Sequence, residues 1–375
     1  MKFLRIIKRM TIGILAVVAV IAAIGLIYLQ FPQFGQKPNG ERLERIKQSP
    51  NYRDGQFQNI SPSPVLVEGY SYTTVMYEYL FGRTPNLTPS APIPNIKSDL
   101  KSLPKEQDLL VWFGHSSYLL QLDGTTFLVD PVLSGYASPS SLLTKAFEGS
   151  NVYQVEDLPQ IDYLLISHDH YDHLDYETIT KLKGKVGTVI CGLGVGAHFE
   201  AWGYDPAKVI ERDWWEEITF DKEVKVHLTP ARHFSGRGIQ PGKTLWTSYV
   251  IETPSKKIYV GGDSGYDTHF AAIGEKFGGF DLAIIENGQY DVAWRNIHVL
   301  PEDAIQASKD LNAKTVFPVH SGKFKLANHP WDEPYLRISE LANTAGIPLV
   351  TPIIGQLVDL NDSTQTFPKW WEKVK

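Results

Sequence analysis

The sequence predicts an α+β fold in which two β-sheets are each faced by helices, carried behind a single apolar N-terminal helix. Three observations predict it. The early strands come as hairpins while the later ones alternate with helices in pieces, which suits two sheets better than one parallel sheet. Side chains able to bind metal sit just beyond the ends of several of these strands. Thr11 to Leu29 runs without a charge, and as a helix that run would span about 28 Å, enough for a bilayer core.

The N-terminal run follows Lys2, Arg5, Lys8 and Arg9. Its length favours a retained anchor over a cleaved signal peptide, whose apolar region is usually shorter. Basic residues crowd the side before the run, which predicts a cytoplasmic N-terminus and a main body on the extracytoplasmic side. Residues 1–30 are thus expected to form the anchor, 31–107 an extended wrap or linker with some helix, and 108–375 the main domain. In the wrap, Tyr70 to Phe81 reads as a helix whose large rings stabilise by packing, while Pro85, Pro89, Pro92 and Pro94 break regular structure after it.

Composition narrows the function classes. The 375 residues hold 43% hydrophobic and 21% charged residues, an ordinary globular balance. A net charge of -6 argues against nucleic acid as a partner, because phosphate backbones need a basic face. The one cysteine, Cys191, excludes an intrachain disulfide and a Cys-rich zinc site, and reads as a small buried strand residue.

The body opens with a strand over Leu109 to Phe113. Leu119–Leu122 and Thr125–Val129 flank Asp123-Gly124, a two-residue hairpin signal. Asp130-Pro131 ends that strand. Ile161 to Ile166 is a buried strand, and Tyr176 to Leu182 a short helix. Strands are expected at 187–191, 224–229, 244–252, 256–261, 281–285 and 315–319. Helices are expected at 268–277, at 301–311 with Pro301 in its first turn, and at 333–345.

The densest chemistry follows Ile166. Ser167-His168-Asp169-His170-Tyr171-Asp172-His173 places three imidazoles and two carboxylates in one loop. These are ligands that zinc and its neighbours accept. Alternate residues of an extended chain point the same way, so His168 and His170 can share one ion, while Asp172 and His173 can reach a second. An exposed His-rich loop is the plainer alternative. Further candidates stand at later strand exits: His233 after strand 224–229, Asp263 within Gly261-Gly262-Asp263-Ser264-Gly265, and His320 after strand 315–319. The glycines beside Asp263 allow close backbone approach, and its two oxygens suit a bridge between ions.

The pattern His168-x-His170-x-Asp172-His173, followed in order by His233, Asp263 and His320, resembles the metal-binding blocks of the metallo-β-lactamase superfamily over residues 108–360. The resemblance implies a four-layer αβ/βα sandwich with two divalent metal ions, zinc first among them, at one edge. By the same resemblance His168, His170 and His233 would bind one ion, Asp172, His173 and His320 the other, and Asp263 both. Within that superfamily the stretches Trp112-Phe113-Gly114-His115, Phe127 to Pro131, Leu165 to Tyr176, Thr229 to His233 and Gly262 to Tyr266 resemble the N-acyl-phosphatidylethanolamine-hydrolysing phospholipase D family and its bacterial relatives. Where that family leads one to expect Pro-Ile-Gly-Ala-Tyr, this chain has Glu286-Asn287-Gly288-Gln289-Tyr290, which puts an extra carboxylate near the metal edge.

The function expected is therefore a membrane-anchored hydrolase of phosphodiester lipids. The alternative is a hydrolase of another ester, a lactone or an amide on the same site. Asp172 and His298 are the catalytic candidates. Asp172 would orient the attacking water, and His298 would contact substrate or protonate the leaving group, unless it caps the helix at Pro301. His115 reads as a support for ligands or a core residue. Trp214, Trp215, Trp246 and Trp294 are mostly packing residues, with an acyl groove as the other reading.

Overall fold

The computed structural model describes residues 2–374. In chain order the helices are α1 (Lys2–Tyr28), α2 (Gly40–Ile46), α3 (Tyr72–Phe81), α4 (Tyr176–Leu182), α5 (Gly196–Ala201), α6 (His269–Phe277), α7 (Pro301–Asp310) and α8 (Glu333–Ala345). A small hairpin, β1 (Tyr52–Arg53) and β2 (Gln56–Phe57), lies in the linker. The first half of the body contributes β3 (Leu109–Trp112), β4 (Tyr118–Leu122), β5 (Thr125–Val129), β6 (Ile161–Ile166), β7 (Val186–Gly192) and β8 (Val209–Arg212). The second half contributes β9 (Glu217–Thr219), β10 (Lys225–Thr229), β11 (Ser248–Glu252), β12 (Lys257–Val260), β13 (Leu282–Glu286) and β14 (Val316–Val319), and β15 (Leu357–Asp359) returns to the first sheet.

One sheet has the order β15-β3-β4-β5-β6-β7-β8, the other β14-β13-β12-β11-β10-β9. Each is antiparallel in one part and parallel in the other, the change falling at β5–β6 and at β12–β13. The hairpin at Asp123-Gly124 has both central residues at positive φ, 47° and 70°, the geometry that matches strand twist in a two-residue turn.

Alternation along the strands builds the layers. Leu110, Trp112, Phe127, Val129 and Leu165 enter the core between the sheets, where they meet Leu228, Tyr249, Val260 and Ile284. Their neighbours Val111, Leu128, Leu164 and Ile166 point the other way, into a second cluster with Ile179, Leu182 and Phe199 of α4 and α5. On the second sheet, Ala283 and Ile285 turn outward to Phe270, Ile273, Ile305 and Ile338 of α6, α7 and α8. Each strand is thus apolar on both faces, as a covered sheet requires. The result is the expected α+β sandwich of two sheets between two helical layers. The apolar helix α1 is long enough to cross a membrane over Phe3–Tyr28.

Two expectations are corrected. The strand expected over 244–252 begins only at Ser248. Leu245 and Thr247 give their N–H groups to Leu193 and Ser167 in the other sheet's loops instead of to a strand partner. The rings of Tyr70 to Phe81 do not pack: none of the α3 side chains is buried, and Tyr72 and Tyr77 are 71% and 66% exposed. The segment after it does lie against the body, with Ile93 buried and bonded to Glu148, and Ile96 bonded to Ile354.

Candidate metal centre

The parallel strands β6, β13 and β14 end at one edge of the sandwich, and the loops leaving them meet there with those after β3, β10 and β12. All seven of the ligand-type residues singled out from the sequence come together at this edge. His168 Nε2, His170 Nδ1 and His233 Nε2 form one group, with His170 Nδ1 2.9 Å and 3.2 Å from the other two nitrogens. His173 Nε2, Asp172 Oδ2 and His320 Nε2 form a second, with Asp172 Oδ2 3.5 Å and 3.3 Å from the two imidazoles. Asp263 Oδ2 lies between the groups, 3.2 Å and 3.1 Å from His173 and His320 and 3.8 Å from both His168 and His233.

The backbone allows this approach at few positions. Gly262 has φ 61°, and a Cβ there would sit 2.7 Å from the Ser167 Cβ, so the Asp263 loop closes on the His168 loop only through glycine. His115 and His320 both have positive φ, 55° and 68°. They are held there by paired backbone bonds, His320 N–H to His115 O and His115 N–H to Ser321 O. Such non-glycine conformations cost about 1–3 kcal/mol each and persist where surrounding structure imposes them.

Neighbouring groups orient most of the imidazoles. His173 Nδ1 donates to Asp130 Oδ2 at 2.8 Å, His233 Nδ1 to Ile297 O at 2.9 Å, and His320 Nδ1 to Gly288 O at 3.1 Å. His168 Nδ1 pairs with Ser167 Oγ at 3.0 Å, and that hydroxyl donates to Asp130 at 2.6 Å. In each case the outer nitrogen is committed to a partner outside the cluster and the inner one faces into it, the arrangement metal-binding histidines use. These residues fit a cation. Nitrogens about 3 Å apart cannot all be satisfied by sharing protons, since His170 Nδ1 would have to serve two partners. His173 Nε2 and Asp263 Oδ1 are buried with no aligned hydrogen-bond partner among the described residues, which a bound ion would supply.

The electrostatics agree. Burial, helped by neighbouring imidazoles, holds His168 and His233 well below the usual histidine range, and burial lowers His170 too. Burial acts the same way on His173 and His320, but there the carboxylates outweigh it. Asp263, Asp172 and Asp130 raise His173 well above its ordinary value, and Asp263 with Asp172 raises His320 to about 10. Asp263 and Asp172 are both held well below the carboxylate range against the effect of burial. The edge therefore concentrates negative charge that needs cations, as protons or as metal.

Other candidates take definite places. His115 is fully buried, with Nε2 2.9 Å from Asp172 Oδ2, so it supports the cluster directly. His298 does not cap α7. Its Nδ1 donates to Glu286 Oε2 at 2.8 Å, and its ring lies 5.0 Å from that of His233 and stacks 5.3 Å from that of His320. Glu286 is buried and accepts from Ser264 N–H, Val299 N–H and His298; burial raises its pKa. Trp214 and Trp246 pack together in the core. Trp215 lies 4.9 Å beneath the Lys276 ammonium, and Trp294 donates to Gln289 O. The role of Asp130 was not foreseen, its only signal being an acid at the exit of a buried strand; Glu286 was expected as an extra carboxylate near the metal edge, but not as the partner of His298.

A sequence model of the family described as beta-lactamase superfamily domain matches residues 125–321, which span every loop of this edge except the one bearing His115. The chain belongs to the metallo-β-lactamase superfamily. It is a metal-dependent hydrolase by that membership. An uncharacterized protein of Mycobacterium tuberculosis is 38% identical over 329 residues, 87% of this chain and 88% of that one. The N-acyl-phosphatidylethanolamine-hydrolyzing phospholipase D 1 of Caenorhabditis elegans is 31% identical over 274 residues, 68% of this chain and 75% of that one. Among solved structures, a possible metal-dependent hydrolase from Veillonella parvula matches with a TM-score of 0.53 at 15% identity, covering 68% of this chain and 99% of that one. That likeness shows the shared fold.

Proposed function

We propose that the protein is a membrane-anchored, binuclear phosphodiesterase that hydrolyses N-acyl-phosphatidylethanolamine-like phospholipids on the phospholipase D side of the phosphate. The observation that carries the reading is the placement of Asp263 Oδ2 within 3.8 Å of four imidazoles from two separate groups. His168, His170 and His233 would hold one ion, Asp172, His173 and His320 the other, and Asp263 both. The nematode phospholipase D relative supports the choice of substrate. Helix α1 would anchor residues 1–30 in the bilayer, with the wrap over 31–107 and the hydrolase domain over 108–375 on the extracytoplasmic side.

When bound, divalent ions of the zinc type supply Lewis acidity and water that ionises near neutral pH. The chain supplies the rest. Asp172, at the open side of the cluster with 14% of its side chain exposed, accepts a hydrogen bond from the attacking water and orients it toward phosphorus. The water oxygen joins phosphorus, and the P–O bond to the ethanolamine side breaks. His298 has Nδ1 committed to the Glu286 carboxylate; as the imidazolium paired with that carboxylate it gives its Nε2 proton to the departing alkoxide, while the proton of the attacking water passes to Asp172 and on to solvent. Glu286 was the sequence feature least suited to an anionic substrate. Three donors already occupy its carboxylate, so much of its charge is spent within the protein.

The test is turnover in detergent. Wild-type protein is expected to release N-acylethanolamine from N-acyl-phosphatidylethanolamine and nitrophenol from a bis-nitrophenyl phosphate, with Asp263→Ala inactive on both. Cleavage of a nitrophenyl ester or a lactone without diester cleavage would replace this reading with the ester, lactone or amide hydrolase.

A further inference from the structure

Helix α3, Tyr-Thr-Thr-Val-Met-Tyr-Glu-Tyr-Leu-Phe, carries one charge in ten residues, yet no side chain in it is buried. Tyr72, Met76, Tyr77, Leu80 and Phe81 are each more than half exposed. The helix is well begun, with Ser71 Oγ accepting from Thr74 N–H, so it is a formed element and not a frayed strand. Apart from Thr73, Thr74 and Glu78 the helix is apolar, and so large an exposed apolar surface is one that some other apolar phase covers. At about 15 Å it is too short to cross a bilayer and long enough to lie along one.

Its surroundings say what covers it. Lys325 Nζ sits 4.9 Å over the Tyr79 ring, and Asn328 donates to Glu78 O. One cleft brings Tyr79 and Lys325 together with Thr144 and Lys145. Just before these lie Leu142 and Leu143, 79% and 60% exposed. The same loop holds Pro139, whose carbonyl accepts from Tyr28 Oη at the end of α1 and from Gln33 Nε2. Helix α1, this loop and α3 are therefore linked in one series. That series borders the metal centre, since the ring of Phe324, next to Lys325, lies 5.3 Å from that of His115.

We propose that α3 and the Leu142-Leu143 loop form a second membrane contact, which lies in the headgroup region of the bilayer and holds the mouth of the metal centre against it. The proposal rests on the anchored reading of α1. The occupant is lipid and not a second copy of the chain. Tyrosine rings suit the boundary between tails and headgroups, and Lys145 and Lys325 would meet lipid phosphates. A two-fold pairing through this face would instead bring the lysines of both copies into one interface. A diester lipid could then reach the centre without leaving its layer.

Cys191 is buried, so an introduced cysteine can be labelled alone. Full-length protein with a nitrobenzoxadiazole label at Tyr77→Cys, Leu143→Cys or Ser363→Cys is reconstituted into vesicles of equal phosphatidylcholine and phosphatidylethanolamine. Ser363 belongs to the turn after β15, at the edge away from the metal centre. Nitroxide-bearing lipid is expected to quench the labels at 77 and 143 roughly threefold more than that at 363, since only groups at the interface meet it. Equal quenching at all three sites, in protein that floats with the vesicles, overturns the docking face while leaving the anchor intact. Energy transfer between copies labelled at 77, lost on dilution with unlabelled protein and without lipid quenching, overturns it in favour of a second copy. Protein that does not float overturns both anchor and docking. None of these readouts requires turnover, so quenching at 77 and 143 without diester cleavage sinks the proposed substrate and supports the docking face.

Discussion

Asp130 accepts a buried hydrogen bond of 2.8 Å from His173 Nδ1–H. It leaves β5 in a positive-φ conformation, 41°, and also receives the N–H and hydroxyl of Ser167. One carboxylate thus ties the end of β5 to both ends of the loop that carries His168 to His173. Asp130→Asn keeps the shape and tolerates positive φ, but removes the charge that favours the Nδ1–H tautomer. Metal affinity is expected to fall about 10–100-fold, the usual effect of such outer partners. Competition with a chromophoric chelator measures it, and unchanged affinity would mean that His173 needs no orienting acid.

Metal removal gives a second expectation. An ion present at about a hundred times its dissociation constant adds about 2.7 kcal/mol to stability. Chelation should lower the Tm of the wild-type protein, and added zinc should restore it. In Asp263→Ala the residue between the two groups is gone while the groups on either side remain, so chelator should lower Tm by much less than in the wild type. An equal chelator response in both proteins would place the ion elsewhere.

Much of this architecture was legible because its cause is local. Alternation and run length located β4 to β6, β13 and β14, and Asp123-Gly124 located the first hairpin. The seven ligand-type residues stood out because each leaves a strand of the same edge. What was not legible depends on partners distant in sequence. Val209–Arg212 is a strand through its parallel pairing with β7, with Glu211 buried on Gly194 N–H, Gly196 N–H and Arg42, which no periodicity records. Asp130 and Glu286 are ordinary acids until the fold supplies their donors. For α3, apolar rings were read as packing because composition tells that a surface is apolar and not which phase meets it.

Arg237 links the segment after α1 to the loop that carries His168 to His173. Fully buried in its surroundings, it donates to Gln33 O through Nε and Nη2, and through Nη1 to Asp169 O at 2.8 Å and Leu174 O at 2.6 Å. Its guanidinium lies 4.2 Å over the Tyr171 ring. Arg237→Met abandons three carbonyls, and the loss is expected to be about 3 kcal/mol in urea unfolding, with looser metal binding. Arg237→Lys should recover little of it, because a single ammonium cannot reproduce the planar fork. Wild-type stability in either variant would show that the loop holds itself.

Lys323 supplies the pH dependence. It is fully buried, donates to Phe113 O at 3.0 Å and Val132 O at 2.8 Å, and has no carboxylate within ion-pair distance among the described residues. Burial pushes its pKa down to about 7 from 10.5. Between those values the unfolded chain binds a proton that the folded chain does not, so stability contributed here rises with pH. Below pH 7 the ammonium is charged in both states and the full cost of burying it applies; above 10.5 the cost vanishes. The span corresponds to roughly 3–5 kcal/mol. Lys323→Met removes the titration, although it leaves two carbonyls without their donor. The stability of wild type relative to this variant is therefore expected to climb from pH 7 to pH 10.5 and to be flat below pH 6. Chemical unfolding of both proteins across that range reads the difference, and a level profile throughout would show that Lys323 stays charged in the core.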